Sequence, residues 1–161
     1  MERSIDMAIP LVPTNTIWTA YFPPGEQFDP LWEAQGFHKR WPNFTKQELQ
    51  CKGDGSLLVH YETMDALQKL RQLYSGPIVI NSYYRSEWYN RKVGGAEASY
   101  HMLGRAIDTP TLNGTLEGRM KLCHLATRAG FNGFGLYGSF THIDTGPMRF
   151  WTDGLMNDLH E

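Results

Sequence analysis

Cysteine is scarce in this chain: Cys51 and Cys123 are the only two among 161 residues. Neither belongs to a Cys-x-x-Cys motif or a mixed Cys/His pattern, so the sequence excludes a thiolate zinc site for lack of ligands. Spacing alone does not establish a disulfide between these two cysteines. Any metal chemistry must therefore come from other side chains.

Long apolar runs and an excess of one charge are also missing. The formal net charge is -2 at pH 7, which offers no basic field to attract nucleic acid or an anionic membrane. The first residues are polar and charged, and no later run approaches the ~20 apolar residues of a membrane span. We therefore expect synthesis in the cytoplasm without a signal peptide, no membrane span and no nucleic-acid partner.

Proline and aromatic residues are concentrated near the N-terminus, within residues 1–43. We predict that this segment is an N-terminal arm and that residues 44–161 form one domain. Two interpretations of the arm stay open. Its aromatic side chains pack against the domain core, or they form a contact surface for a partner.

The remaining pattern predicts an α+β fold with a small, largely antiparallel sheet and flanking helices. Thr45 followed by Glu48 predicts a capping box, and apolar residues three apart predict a helix from Glu62 to Tyr74. β-branched runs and turn residues predict strands at 77–84, 133–137 and 140–144. Capping and terminating residues predict further helices at 86–93 and 115–128.

Two histidines and an aspartate have the chemistry of a three-ligand zinc site. They are His101 and Asp108 in one segment and His142 about thirty residues later. Such a site leaves one position for a water, whose pKa zinc lowers toward ~7. Period-two alternation also places Asp144 on the strand face of His142. If the three ligands converge, the protein is a hydrolase.

Several motifs in fixed order surround these residues and carry a family resemblance. They read Asn81-Ser-Tyr-Tyr-Arg85-Ser86, Val93-Gly94-Gly95-Ala96, Ser99-x-His101-x-x-Gly104-Arg-Ala106-x-Asp108, Gly133-Phe-Gly135-Leu-Tyr137 and His142-Ile-Asp144. From Phe44 to Trp151 the chain resembles the zinc D-Ala-D-Ala metallopeptidases of bacterial cell walls and phage lysins, in particular their small carboxypeptidase-like branch. These share a fold with the hedgehog signalling domain.

The resemblance implies roles for individual residues. It implies that His101, Asp108 and His142 bind Zn²⁺, that Arg85 binds substrate and acts in catalysis, and that Ser99 supports the site or binds substrate. A guanidinium is well shaped to bind a peptide carboxylate or to polarise a carbonyl. Tyr137 is a further candidate for substrate binding.

The position of the catalytic base departs from the family pattern. Several members place a carboxylate three residues before the last histidine, where this chain has Ser139. Asp144 is our candidate for the base, and it could equally be a carboxylate that hydrogen-bonds a ligand histidine. Glu97 and Tyr137 are alternatives, so the base stays open.

We therefore expect a zinc peptidase that cuts the stem peptides of peptidoglycan, as a carboxypeptidase or an endopeptidase. A phage lysin or a virion-borne wall hydrolase fits the absence of a signal, and residues 1–43 would then attach to phage structural proteins. Two alternatives stay open: a non-catalytic zinc-containing wall-binding module, supported by Ser139, and an intracellular D-Ala-D-Ala dipeptidase.

Overall fold

A computed structural model describes residues 18–25, 30–110 and 115–153. Its helices are α1 Pro30–Ala34, α2 Phe37–Arg40, α3 Lys46–Leu49, α4 Tyr61–Tyr74, α5 Glu87–Lys92, a 3-10 helix Tyr100–Leu103 and α6 Leu116–Ala129. Its strands are β1 Thr19–Phe22, β2 Leu57–His60, β3 Ala106–Pro110, β4 Gly133–Leu136, β5 Phe140–Asp144 and β6 Arg149–Thr152. None of the helices in these ranges is both long and apolar enough to cross a bilayer.

The strands form two small sheets. Strands β1 and β2 pair antiparallel, and the second sheet has the order β3-β5-β4-β6. Its β3–β5 and β5–β4 pairs are antiparallel, whereas β4 and β6 run parallel. The predicted α+β class with a small, largely antiparallel sheet is confirmed.

The hydrophobic core lies between the four-stranded sheet and the long helices α4 and α6. Ile143 alternates with His142 and Asp144, and Phe134 with two glycines; with Ile107 they are buried in the same cluster as Leu67 of α4 and Ala126 of α6. Alternation therefore gives the sheet one apolar face toward the helices and one polar face.

Local sequence signals set the helix boundaries. Thr45 and Glu48 form the predicted capping box, with the Thr45 hydroxyl accepting from the Glu48 N–H. Ser86 caps α5 and Thr115 caps α6 in the same way. Helix α4 ends before Ser75, whose positive φ of 60° stops the helical hydrogen bonding. The predicted helices are confirmed.

The predicted strand over residues 77–84 was wrong. This segment makes a single bridge, between Ser82 and Asp108 at the edge of β3. Pro77 has no N–H to donate, and the apolar side chains of Ile78 and Ile80 are buried without joining a ladder. The β-branched pattern here reflects burial, and the segment leaves the sheet edge toward Arg85.

The described part of residues 1–43 packs against the rest of the chain. Strand β1 pairs with β2, and the side chains of Phe22, Trp32, Phe37 and Trp41 are buried in the core. These rings contact one another and Tyr61 at the start of α4. Residues 1–17 lie outside the described residues, and the division at residue 43 stays a prediction.

Both cysteines are buried. Cys51 and Cys123 are free thiols, with no disulfide between them. Burial raises the pKa of the Cys123 thiol to about 11, although the nearby Arg119 opposes this shift.

Candidate metal centre

The register of the four-stranded sheet builds most of the site. Asp108 on β3 lies opposite His142 on β5, and His142 in turn lies opposite Gly135 on β4. Gly135 pairs with Trp151 on β6, which completes one row across the sheet. Paired residues project from the same face, so this row places two predicted ligands side by side.

The next row along the sheet contains the neighbours of these ligands. Asp144 pairs with Gly133, and Gly133 pairs with Arg149. A Cβ on Gly133 would lie 2.2 Å from the Asp144 Oδ1, and a Cβ on Gly135 would lie 2.4 Å from the Trp151 ring. The two glycines thus leave room for a carboxylate and an indole over β4.

His101 comes from the 3-10 helix beside the sheet. The Ser99 hydroxyl accepts from the His101 N–H at 3.2 Å and caps this helix. Gly104 then takes a left-handed φ of 66°, which turns the chain into β3. The turn brings His101 against Asp108 across a short span of sequence.

The three predicted ligands converge on one point. The Oδ1 of Asp108 lies 3.1 Å from the His101 Nε2 and 2.9 Å from the His142 Nδ1. One ligand atom from each residue lies within 4.8 Å of the other two. His101 and Asp108 are buried, and the side chain of His142 is 13% exposed.

Hydrogen bonding orients both imidazoles toward this point. The His101 Nδ1 lies 2.7 Å from the Tyr83 carbonyl, to which it can only donate. In the neutral ring, the lone pair then lies on His101 Nε2, which is buried without a hydrogen-bond partner. Two imidazole nitrogens and one carboxylate form a ligand set that fits zinc, and a bound zinc would satisfy the buried His101 Nε2.

The charge of Asp108 is stabilised by its surroundings. Burial opposes ionisation, but the close contacts with His101 and His142 outweigh it and hold the pKa of this carboxyl well below its usual range. An ionised carboxylate is the form that binds a metal.

Asp144 lies behind His142, away from the cavity. Its Oδ2 is 2.7 Å from the His142 Nε2, and its two oxygens accept from Arg149 at 2.7 and 3.2 Å. The Gly146 N–H also donates to Oδ1, at 2.9 Å. The side chain is fully buried. This is the geometry of a carboxylate that orients a ligand histidine, the second of the two predicted roles.

Arg85 lies on the other side of Asp108. Its Nη2 donates to the Asp108 Oδ2 at 3.1 Å, its Nη1 to Asn90 at 3.3 Å and its Nε to Ser82 at 3.3 Å.

The pKa of His142 is raised by its two carboxylate neighbours. Burial opposes charging of this imidazole, but hydrogen bonds to Asp108 and Asp144 outweigh burial. Basic and acidic side chains thus alternate along one line of contacts, in the order Arg85, Asp108, His142, Asp144 and Arg149.

A cavity of about 510 Å³ opens over the converging side chains. Arg85, Ser99 and Tyr137, the three predicted substrate-binding residues, all contribute to its wall. Ser139 and Glu97 are exposed and do not line it. The cavity therefore gathers the three predicted ligands and the three predicted substrate-binding residues, whereas Asp144 lies behind His142 and Glu97 lies outside the wall.

Sequence reasoning did not identify Arg149 and Trp151 as site residues. Both line the cavity, and the Arg149 guanidinium lies 5.1 and 5.2 Å from the ring centroids of Tyr100 and Trp151. The available signal was a basic and an aromatic residue at alternate positions just after Gly146-Pro147. No strand was predicted at residues 149–152, so nothing in the sequence analysis placed these two side chains on the face of the sheet that carries the site.

The α+β fold and the converging His/Asp/His ligand set define a class of protein, one with the site of a metalloenzyme. A family model for peptidase M15 matches residues 42–144, about two-thirds of the sequence, and the chain belongs to this family. Members of the family are zinc peptidases in general.

Curated relatives are bacterial enzymes with one shared name. The peptidoglycan L,D-endopeptidase MepK of Escherichia coli K12 is 36% identical over 94 residues. The same values hold for MepK of Escherichia coli O157:H7 and of Shigella flexneri. The match covers 54% of this chain and 51% of each relative, so the chain spans about half the length of the curated relatives it matches.

Proposed function

We propose that this protein is a zinc-dependent peptidase that hydrolyses peptide bonds in the stem peptides of bacterial peptidoglycan. The convergence of His101, Asp108 and His142 in an open cavity of a peptidase M15 chain carries the proposal. Zinc bound there would polarise the peptide carbonyl and make hydroxide available near neutral pH.

Arg85 is proposed to bind the substrate. A guanidinium has five N–H donors, and Asp108, Asn90 and Ser82 occupy three of them. The remaining donors can bind a carbonyl oxygen or a carboxylate at the cavity wall. Contact with Asp108 keeps this cation beside the reacting bond, where negative charge develops on the carbonyl oxygen.

Ser99 and Tyr137 are proposed to bind the substrate from other parts of the wall. Ser99 is 9% exposed, and its hydroxyl already caps the 3-10 helix, so its main effect is to hold His101. Tyr137 is half-buried and stacks on Phe140 with ring centroids 4.4 Å apart. Stacking fixes the plane of its ring at the cavity wall.

The relative's name supports an endopeptidase cut. MepK is named an L,D-endopeptidase, and we propose that this chain likewise cuts within a stem peptide or cross-link. In the carboxypeptidase alternative, Arg85 would bind the terminal carboxylate of the substrate. The two cuts release different products, so one assay separates them.

Digestion of purified sacculi tests the proposal. Zinc-loaded protein is incubated with sacculi, and the products are identified by mass spectrometry. We expect new peptide ends from the wild type and none from His142→Ala, which also loses zinc. His124→Ala removes an exposed histidine on α6 and serves as the control with unchanged activity.

Two outcomes would favour the alternatives. Stoichiometric zinc with no cleavage of any muropeptide would contradict the proposal and favour a wall-binding module. Cleavage of free D-Ala-D-Ala alone would favour the dipeptidase.

The biological setting is proposed from the sequence resemblance alone. The likeness to phage lysins supports a wall hydrolase made in the cytoplasm of the host, carried by a virion or released at lysis. Residues 1–43 would then contact phage structural proteins through side chains other than the buried Phe22, Trp32, Phe37 and Trp41. Co-sedimentation of the full chain with phage particles tests this contact, and absence from particles would contradict it.

A further inference from the structure

Within the described part of the chain, the cavity wall has no carboxylate outside the metal centre. Among the described residues that line it, Asp108 is the only acidic one, and it belongs to the metal centre. Asp144 is fully buried behind His142, with its oxygens taken up by His142, Arg149 and the Gly146 N–H. The other polar side chains of the cavity wall are thus the candidates for assisting hydrolysis, and Tyr137 is one of them.

The Tyr137 hydroxyl is held in one orientation by Trp151. The Trp151 Nε1 lies 2.9 Å from the Tyr137 oxygen, and an indole N–H can only donate. The hydroxyl oxygen is thus the acceptor, and its own proton remains to be donated elsewhere. No hydrogen bond from this hydroxyl to another described side chain is present, and Tyr137 lines the cavity.

Trp151 connects this hydroxyl to the metal centre. Its ring lies 5.3 Å from the His142 ring, centroid to centroid, and it lies over Gly135 in the row that contains Asp108 and His142. A Cβ at position 135 would overlap the indole, with contacts of 2.4 to 2.6 Å. One indole ring therefore separates the Tyr137 hydroxyl from a ligand histidine.

We propose that Tyr137 donates a hydrogen bond to the carbonyl oxygen of the peptide bond being cleaved, and that Trp151 is the residue that positions it. This inference rests on the proposed function. As the water oxygen bonds to the carbonyl carbon, the C=O π pair moves onto the carbonyl oxygen, which the Tyr137 O–H stabilises. The C–N bond then breaks, and a proton from the water ends on the leaving amine. Tyr137 keeps its own proton throughout.

Matched single-group variants test the proposal. Tyr137→Phe removes the hydroxyl and Trp151→Phe removes the indole N–H, while each keeps an aromatic ring. We expect Tyr137→Phe to lower kcat roughly 100-fold, as loss of an oxyanion donor does, with KM and zinc content near wild type. Trp151→Phe should lower kcat about tenfold, as loss of a positioning hydrogen bond does. Tyr21→Phe and Trp88→Phe, at exposed positions outside the cavity, are the controls.

The double variant tests whether Trp151 acts through Tyr137. If it does, Tyr137→Phe/Trp151→Phe is no slower than Tyr137→Phe alone. Losses that multiply would overturn the positioning role of Trp151. A wild-type kcat in Tyr137→Phe would overturn the donor role while the proposed function stands. If the wild type itself releases no product from sacculi, the proposed function fails and this inference falls with it.

Two measurements do not depend on turnover. By calorimetry, Tyr137→Phe should bind a phosphinate analogue of the cleaved bond about 10–100-fold more weakly and the cleavage product equally well, since only the phosphinate carries a tetrahedral oxyanion. In NMR spectra the Trp151 indole N–H resonance should move upfield in Tyr137→Phe, because it loses its acceptor. Unchanged phosphinate affinity or an unmoved resonance would contradict the proposal.

Discussion

The His142 imidazole is oriented by a carboxylate that does not line the cavity. Asp144 lies 2.7 Å from its Nε2, and the Asp108 carboxylate lies 2.9 Å from its Nδ1. In the tautomer with its proton on Nε2, bonded to Asp144, the Nδ1 lone pair is available to a metal. Arg149 binds both oxygens of Asp144 and so compensates its buried charge.

The first prediction separates the two roles of Asp144. Asp144→Asn keeps the shape of the side chain and removes its charge, so we expect zinc affinity to fall about 10–100-fold. Competition with a chromogenic chelator measures this affinity. The control is Asp153→Asn, at an exposed carboxylate after β6. Unchanged zinc affinity together with a large loss of kcat would instead assign Asp144 as the catalytic base.

At the scale of elements, strand β4 depends on glycine at alternate positions. Gly133 and Gly135 share the site face with Asp144 and Trp151, and neither position has room for a Cβ. The same strand presents Phe134 and Leu136 to the core. A motif of the form Gly-x-Gly-x-Tyr is thus explained by one strand with bulky core residues and an open site face.

The second prediction concerns this open face. Gly133→Ala places a methyl group 2.2 Å from the Asp144 Oδ1, so either the strand or the carboxylate must move. We expect a loss of roughly 1–3 kcal/mol in the free energy of unfolding, measured with urea, and weaker zinc binding. Gly138→Ala is the matched control, because nothing lies within 4 Å of its Cβ. Equal stability of the two variants would contradict this account.

At the scale of the whole molecule, the N-terminal aromatic residues complete the core. Trp41 is fully buried, and Trp32 and Phe37 are 6% and 2% exposed. Strand β1 also covers the edge of β2. The family match begins only at residue 42, yet the aromatic cluster on its N-terminal side packs against Tyr61 of α4.

The third prediction tests the division at residue 43. Deleting residues 1–41 removes this cluster, and we expect a chain without cooperative thermal unfolding. Trp41→Ala should cost about 3–5 kcal/mol, whereas Trp88→Ala, at a half-exposed position, should cost much less. Urea titration of each variant measures these values. A stable, zinc-binding fragment of residues 42–161 would show instead that residues 1–43 are a separate arm.

Local signals predicted much of the fold. The capping box at Thr45, the caps at Ser86 and Thr115 and the apolar spacing of α4 depend on neighbours within one turn, so they are readable along the chain. Strand β6 and the failure of the segment 77–84 to form a strand were not predicted. Both depend on which backbone groups find partners across the sheet, and periodicity does not report that.

The sequence by itself determined which side chains could bind zinc. His101, Asp108 and His142 were the three candidates, because they have zinc-ligand chemistry and the ordered motifs around them resemble those of zinc metallopeptidases. Only the tertiary structure decided how they are used. The register between β3, β5, β4 and β6 places Asp108 beside His142, Asp144 behind it and Trp151 next to Tyr137. The physical reason is that ligand chemistry resides in single side chains, whereas the direction of a lone pair or a proton is set by partners that are distant in sequence.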